Sequence, residues 1–206
     1  MGEQSPAPTR CILESQLPMK RRDFLKLPVA AAALTSIARG AEALAKDRER
    51  LIQGFLVRSQ QDRHDASLAI MGGRFDLKVS GKDTGGDLCI YDTVRSTKGG
   101  PPLHRHYSQD EWFYIIRGEF LVQVGDDRVA LAPGDSAFAP RRIPHAFAMT
   151  SDGEGQMLVL FQPAGSMEDF FRRMSTSGTG VSAGQQLPKR VWEEHGMELL
   201  GPPLKY

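Results

Sequence analysis

Within GGPPLHRHYSQDEWFYIIRG, residues 99–118, His104, His106 and Glu111 recur at a spacing that ordinary core packing does not call for. Two histidines two positions apart on a strand send both rings to the same face and Arg105 to the other. That is a chelating pair, and it requires the chain around it to be extended. Glu111 lies five residues beyond His106, an odd offset that would put it on the wrong face of a continuous strand. A bulge or short loop is therefore predicted over 107–110. From Glu111 the alternation resumes, with Phe113 and Ile115 on its face and Trp112, Tyr114 and Ile116 on the opposite one.

A fourth candidate ligand stands downstream in PGDSAFAPRRIPHAF, where His145 follows the Pro133-Gly134 turn and a proline-bounded strand. Imidazole and carboxylate are borderline-to-hard donors, so His104, His106, Glu111 and His145 suit one divalent transition metal: iron, copper, manganese, nickel, cobalt or zinc. The donor set defines a site without choosing among those ions. Four protein ligands leave one or two positions for water, dioxygen or a substrate oxygen. Glu111 is the candidate catalytic residue, a ligand at rest and a general base if it detaches. Strand parity places Phe113, Ile115, Phe147 and Met149 beside the ligands as the expected substrate pocket, and its apolar character leans toward an aromatic substrate over a sugar.

Many short alternating runs between glycines and prolines favour an all-β barrel or sandwich, and 206 residues support one well-filled domain. Strands are expected near 55–58, 67–71, 74–80, 87–94, 103–106, 111–117, 119–124, 128–132, 136–139, 145–150 and 156–162, after a polar helical start over 46–52. Ser166 and Asp169 read as a capping-box-like start to a short helix carrying Phe170 and Phe171. A Ser/Gly-rich linker at 175–185 then leads to a second short helix near 188–195, ended by Gly196. His64 and His195 read as surface or satisfied core residues, Cys89 as core, and Arg141 and Arg142 as solvated. A formal net charge of +1 offers no ground for nucleic-acid binding.

The N-terminal 45 residues pose a separate problem. Lys20-Arg21-Arg22-Asp23-Phe24-Leu25-Lys26 precedes an Ala-rich run from Leu27 to Ala38 and resembles a twin-arginine export signal. The run is too short for a spanning helix of about 20 residues. Cleavage after Ala43-Leu44-Ala45 would leave a mature domain of residues 46–206, and Met19 offers an alternative start. Residues 1–45 hold six Lys/Arg and four Asp/Glu, so their removal takes the net charge from +1 to −1 and leaves Cys89 as the sole cysteine. The expected location is the periplasm, with the twin-arginine machinery as a partner. That route carries proteins that fold before crossing, which would let the metal be chosen in the cytoplasm.

The two motifs resemble those of the cupin superfamily. His104-Arg105-His106, four residues, Glu111, six residues and Gly118 fit the first; Gly134, Pro140 and His145 fit the second. Gly100 is closer to His104 than the usual first glycine, Arg142 stands where a glycine is expected, and Met149 replaces an asparagine. KDTGGDLCIYDTV, FQPAGSMEDFF and HGMELLGPP extend the likeness to small single-domain cupins described as quercetin 2,3-dioxygenase-like, over roughly residues 53–204. The resemblance implies a cupin-type double-stranded β-helix, or jelly-roll barrel, over about 84–162, with a helical extension over 163–206. It further implies a metal-dependent dioxygenase acting on a small, flavonol-like substrate with dioxygen, and a homodimer. A metal-dependent isomerase of small polyhydroxylated compounds and a non-catalytic binding protein are the alternatives.

Overall fold

The computed structural model describes residues 50, 53–176 and 187–206. The signal-peptide reading, nearly all of the expected helical start and most of the Ser/Gly-rich linker lie outside the described residues.

Two antiparallel sheets face each other. The larger has six strands in the order β1(Leu68–Ile70), β2(Gly73–Val79), β3(Cys89–Arg95), β10(Gly155–Gln162), β5(Asp110–Arg117) and β8(Ser136–Ala139). The smaller has five, in the order β11(Met197–Pro203), β4(Pro102–His106), β9(His145–Met149), β6(Phe120–Val124) and β7(Asp127–Leu131). From β3 to β10 every connection except the β6–β7 hairpin carries the chain from one sheet to the other. This is the jelly-roll arrangement expected for a cupin. After β10 come two helices, α1(Met167–Thr176) and α2(Lys189–Glu194), and then β11.

The period-2 alternation of the sequence decides which side chains meet between the sheets. β10 is buried at Gly155, Met157, Val159 and Phe161, and β5 at Glu111, Phe113 and Ile115. In register, Met157 faces Ile115, Val159 faces Phe113 and Phe161 faces Glu111. Phe120, Val122, Phe147 and Met149 oppose them from the smaller sheet. Burial of so many large apolar side chains is the main favourable term for the domain.

Two backbone positions bear on the departures from the motifs this sequence resembles. A Cβ on Gly100 would lie 1.8 Å from the carbonyl oxygen of Phe147, so the chain entering β4 must be bare there to lie against β9. Arg142 takes φ +69 while its N–H donates to the His106 carbonyl at 2.6 Å. Glycine enters that left-handed conformation freely, whereas a side chain there costs roughly 1–2 kcal/mol.

Several expectations need correction. Residues 55–58 form no strand, and Phe55 instead lies under the Arg63 guanidinium, 3.9 Å from the ring centroid. The Ser166 hydroxyl does not cap α1; it donates to the His195 carbonyl at 3.3 Å and ties α1 to the end of α2. The stretch 197–203 is strand β11, which was not expected. Its pairing of Met197 with His106 and Leu199 with His104 flanks the ligand strand. Residues 107–109 form the expected short loop, and its physical reason is a change of sheet, since β4 and β5 belong to different ones.

Candidate metal centre

β4 is buried at alternate positions, so His104 and His106 point inward while Arg105 turns outward to an ion pair with Glu198 of β11 at 2.6 Å. His145 on β9 is the direct cross-strand partner of His104. These three rings come from one sheet. Glu111 projects from β5 in the opposite sheet and closes the set across the core. One ligand atom from each of the four residues lies within 4.8 Å of the others, and all four side chains are buried. The ring centroids of His104 and His145 are 4.6 Å apart, and those of His106 and His145 are 5.4 Å apart and nearly parallel.

Hydrogen bonds set the tautomers. A carbonyl can only accept, so His104 donates from Nδ1–H to Pro102 at 2.8 Å, and His145 from Nδ1–H to Ile143 at 2.9 Å. Each bond turns Nε2 toward the cluster, the arrangement that backbone carbonyls impose on metal-binding histidines. His145 Nε2 then lies 2.8 Å from Glu111 Oε2, and His106 Nε2 lies 3.2 Å from the same oxygen. Neither nitrogen of the fully buried His106 ring makes a hydrogen bond. An imidazole lone pair against a carboxylate oxygen is repulsive unless a proton or a metal cation lies between them, and four such donors converge here. The residues therefore fit a bound divalent metal.

Burial and the mutual contacts of these groups set the ionisation of the cluster. Burial, reinforced by the neighbouring His145 and His106 rings, pushes His104 down to about 3, so its ring is neutral at physiological pH. Burial alone would raise the Glu111 carboxyl, but the His106 and His145 rings facing it hold it well below the usual carboxylate range. Burial would lower His145, and the Glu111 hydrogen bond and charge reverse that and raise it. Next to the cluster, Arg141 pairs with Asp110 at 2.6 Å and also bonds it through its backbone N–H at 2.8 Å, pinning the loop after β8 to the start of β5. Arg141 is thus exposed yet ion-paired.

His104, His106 and Glu111 form part of the wall of a cavity with about 520 Å³ of space counted out to open solvent. It is narrow, since the centre of a water molecule can range over only about 50 Å³ of it. Of the four expected pocket residues, Phe147 lines it, together with Phe75, Phe161, Phe170 and Trp192. Phe113, Ile115 and Met149 are packed in the core behind that wall, with 1% exposure or less, and are corrected from pocket to core. Strand parity identifies an inward face but not the depth at which each inward residue stops.

Most of the lining escaped the sequence reading, including the two residues that bring further polar atoms to it, Arg95 and Trp192. Arg95 shares the inward parity of Cys89, Tyr91 and Thr93, and that parity was the available signal. Trp192 arrives on α2, with its ring 5.1 Å from that of His104, and no local spacing announces it.

Residues 94–161 match the family model described as Cupin domain, which supports placing this barrel in the cupin superfamily. An uncharacterized protein of Methanocaldococcus jannaschii is 28% identical over 67 residues, 32% of this chain and 54% of the relative, so the match spans about half that relative's length. Among solved structures, TT1209 from Thermus thermophilus is similar at 29% identity and TM-score 0.37, covering 38% of this chain and 75% of that one. An RmlC-like cupin from Shewanella frigidimarina is similar at 24% identity and TM-score 0.45, covering 57% of this chain and 96% of that one.

Proposed function

We propose that this chain is a metal-dependent cupin oxidoreductase, a dioxygenase that acts on a small aromatic substrate held in the apolar cavity. The observation that carries this reading is the convergence of three histidines and one glutamate within 4.8 Å of one another, with His104, His106 and Glu111 on the wall of that cavity. His104, His106, Glu111 and His145 would hold a divalent transition metal, which when bound supplies Lewis acidity and, if redox-active, a route for electrons between substrate and dioxygen.

The remaining chemistry belongs to the chain. Phe147, Phe161 and Phe170 line a passage too narrow for bulk water, which strengthens electrostatic interactions at the cluster. Glu111 is ionised at neutral pH, and its carboxylate is the group placed to accept a proton from a substrate hydroxyl. Its low proton affinity belongs to the state in which both histidines face it. Rotation away from them returns it toward ordinary carboxylate basicity. The narrowness of the cavity favours a one-ring substrate over a three-ring flavonol. Export to the periplasm by the twin-arginine route and assembly as a homodimer belong to the same proposal.

The test combines metal analysis by mass spectrometry with oxygen uptake on one-ring phenols and enediols. Near-stoichiometric redox-active metal with substrate-dependent uptake is expected. Turnover that continues without oxygen would replace the dioxygenase with an isomerase. Glu111→Gln should retain much of the metal and lose roughly 100-fold or more in rate; an unchanged rate would end the base role.

A further inference from the structure

Among the described residues, the buried side-chain polar atoms without a hydrogen-bond partner are Arg95 Nε, both ring nitrogens of His106, and Trp192 Nε1. All three residues line the same cavity. Buried polar groups are nearly always paired, so orphans gathered around one space mark where a ligand's polar atoms belong. Of the two His106 nitrogens the metal would take the one with the lone pair, and the other carries an N–H that stays unpaired. The Arg95 and Trp192 atoms are donors too, and donors call for acceptors on the ligand.

Arg95 is the stronger signal. It is only 3% exposed, and among the described residues the one hydrogen bond of its guanidinium runs from Nη2 to the Met71 carbonyl at 3.1 Å. Among the described residues no carboxylate forms an ion pair with it. A buried guanidinium without a counter-ion is costly, and burial lowers it only to about 10, so it stays charged at neutral pH. Its Cζ lies 5.8 Å from the centroid of the Phe147 ring, beside an apolar wall that adds no negative charge. With three neutral imidazoles and one carboxylate around a divalent metal, the cluster is itself net positive. The cavity therefore presents two positive centres and no free anion.

We propose that the cavity binds an elongated organic acid, its carboxylate on the Arg95 guanidinium and its far end beside Trp192 and the histidine–glutamate cluster. A carboxylate matches the planar fork of a guanidinium. The register gives the length. Gly155 on β10 pairs with Arg95, and Phe161 pairs with Glu111 six residues further along. That is about 20 Å of strand between the backbone positions, and the Arg95 Cζ lies within that span beside Phe147. Only a slender molecule with an apolar body spans such a gap in so narrow a space. This inference rests on the proposed metal site for the far end of the ligand, while the Arg95 end stands on its own.

The experiment is titration calorimetry on the full-length protein, metal-loaded and chelator-treated, with acetate, benzoate, 3-phenylpropanoate and 3-phenylpropanamide. 3-Phenylpropanoate should bind most tightly of the acids, and the neutral amide about 10- to 100-fold more weakly than its acid. Arg95→Gln should erase the preference of acid over amide, and Arg95→Lys should keep part of it. Trp192→Phe should leave the acid preference intact, because the far ends of these probes carry no acceptor for the indole N–H; loss of that preference in this variant would place the carboxylate on Trp192 and overturn the assignment to Arg95. Equal affinity for acid and amide in the wild-type protein would overturn the proposal without any variant having to fold. So would an Arg95→Gln protein with a lowered unfolding midpoint and unchanged acid preference, or no binding of any acid at millimolar concentration. Failure of the metal reading shows separately, as acid preference that persists in protein that takes up no metal.

Discussion

At the cluster, three rings come from two neighbouring strands of one sheet, with His104 and His145 directly paired, and only Glu111 crosses from the other side. The wall of the same cavity draws Arg95 from β3, Phe161 from β10, Phe170 from α1 and Trp192 from α2. The cluster is a product of short-range periodicity. The wall is a product of long-range packing, and it ends on helices separated from the barrel motifs by tens of residues. Removing part of one should leave the other standing, and that independence can be broken experimentally.

The largest effect is expected from His106→Ala, which removes a fully buried ligand. Metal affinity should fall by roughly 100-fold or more, beyond the loss seen when only a ligand's supporting partner is changed. Metal analysis after dialysis checks it, and a cavity that still binds 3-phenylpropanoate would sharpen the division between cluster and wall. Phe170→Ala probes the other side. Phe170 packs on Trp192 at 5.1 Å and on Phe171 at 5.7 Å, so its truncation should cost about 3–5 kcal/mol in urea unfolding. Metal content should stay unchanged; a parallel loss of metal would mean that helices and cluster form one cooperative unit.

A smaller effect concerns β3, the strand that supplies Arg95. Burial raises the Cys89 thiol above its ordinary 9.0, and the nearby Glu168 and Glu111 charges add to that. Tyr91 is raised as well, burial again being the main cause. An acid whose folded value is raised loses protons more readily when unfolded, so stability holds below about pH 9 and declines as pH rises past it. Unfolding midpoints should therefore drop between pH 8.5 and 10.5, and Cys89→Ala should flatten the first part of that decline. A midpoint that stays level in the wild-type protein would show that β3 is less buried than the fold requires. The smallest effect is Arg142→Gly, which relieves the left-handed conformation next to the cluster. A gain of about 0.5–1 kcal/mol is expected, net of the greater freedom of glycine in the unfolded chain. A loss instead would mean that the Arg142 side chain supports the loop before His145.

The same division governs how much could be read from the chain. The β-rich class, most strands of the barrel and the four candidate ligands were legible because each rests on a period of two or on a turn residue within a dozen positions. The start of α1 was legible, although its apparent cap was not, since Ser166 found a partner on a later segment. Phe113, Ile115 and Met149 were correctly placed on the inner face and wrongly placed at the pocket.

Local spacing by itself determined that His104, His106, Glu111 and His145 face inward on extended chain, and that the register must break between His106 and Glu111. Only the tertiary structure decided that this break is a step between sheets, that β11 flanks the ligand strand, and that an arginine with no carboxylate partner among the described residues and a tryptophan share the cavity lined by His104, His106 and Glu111. The reason is physical. A strand's alternation dictates direction at no cost in distance, whereas bringing Arg95, Phe170 and Trp192 to one space requires closing long stretches of chain, and only burial of the whole core favours that.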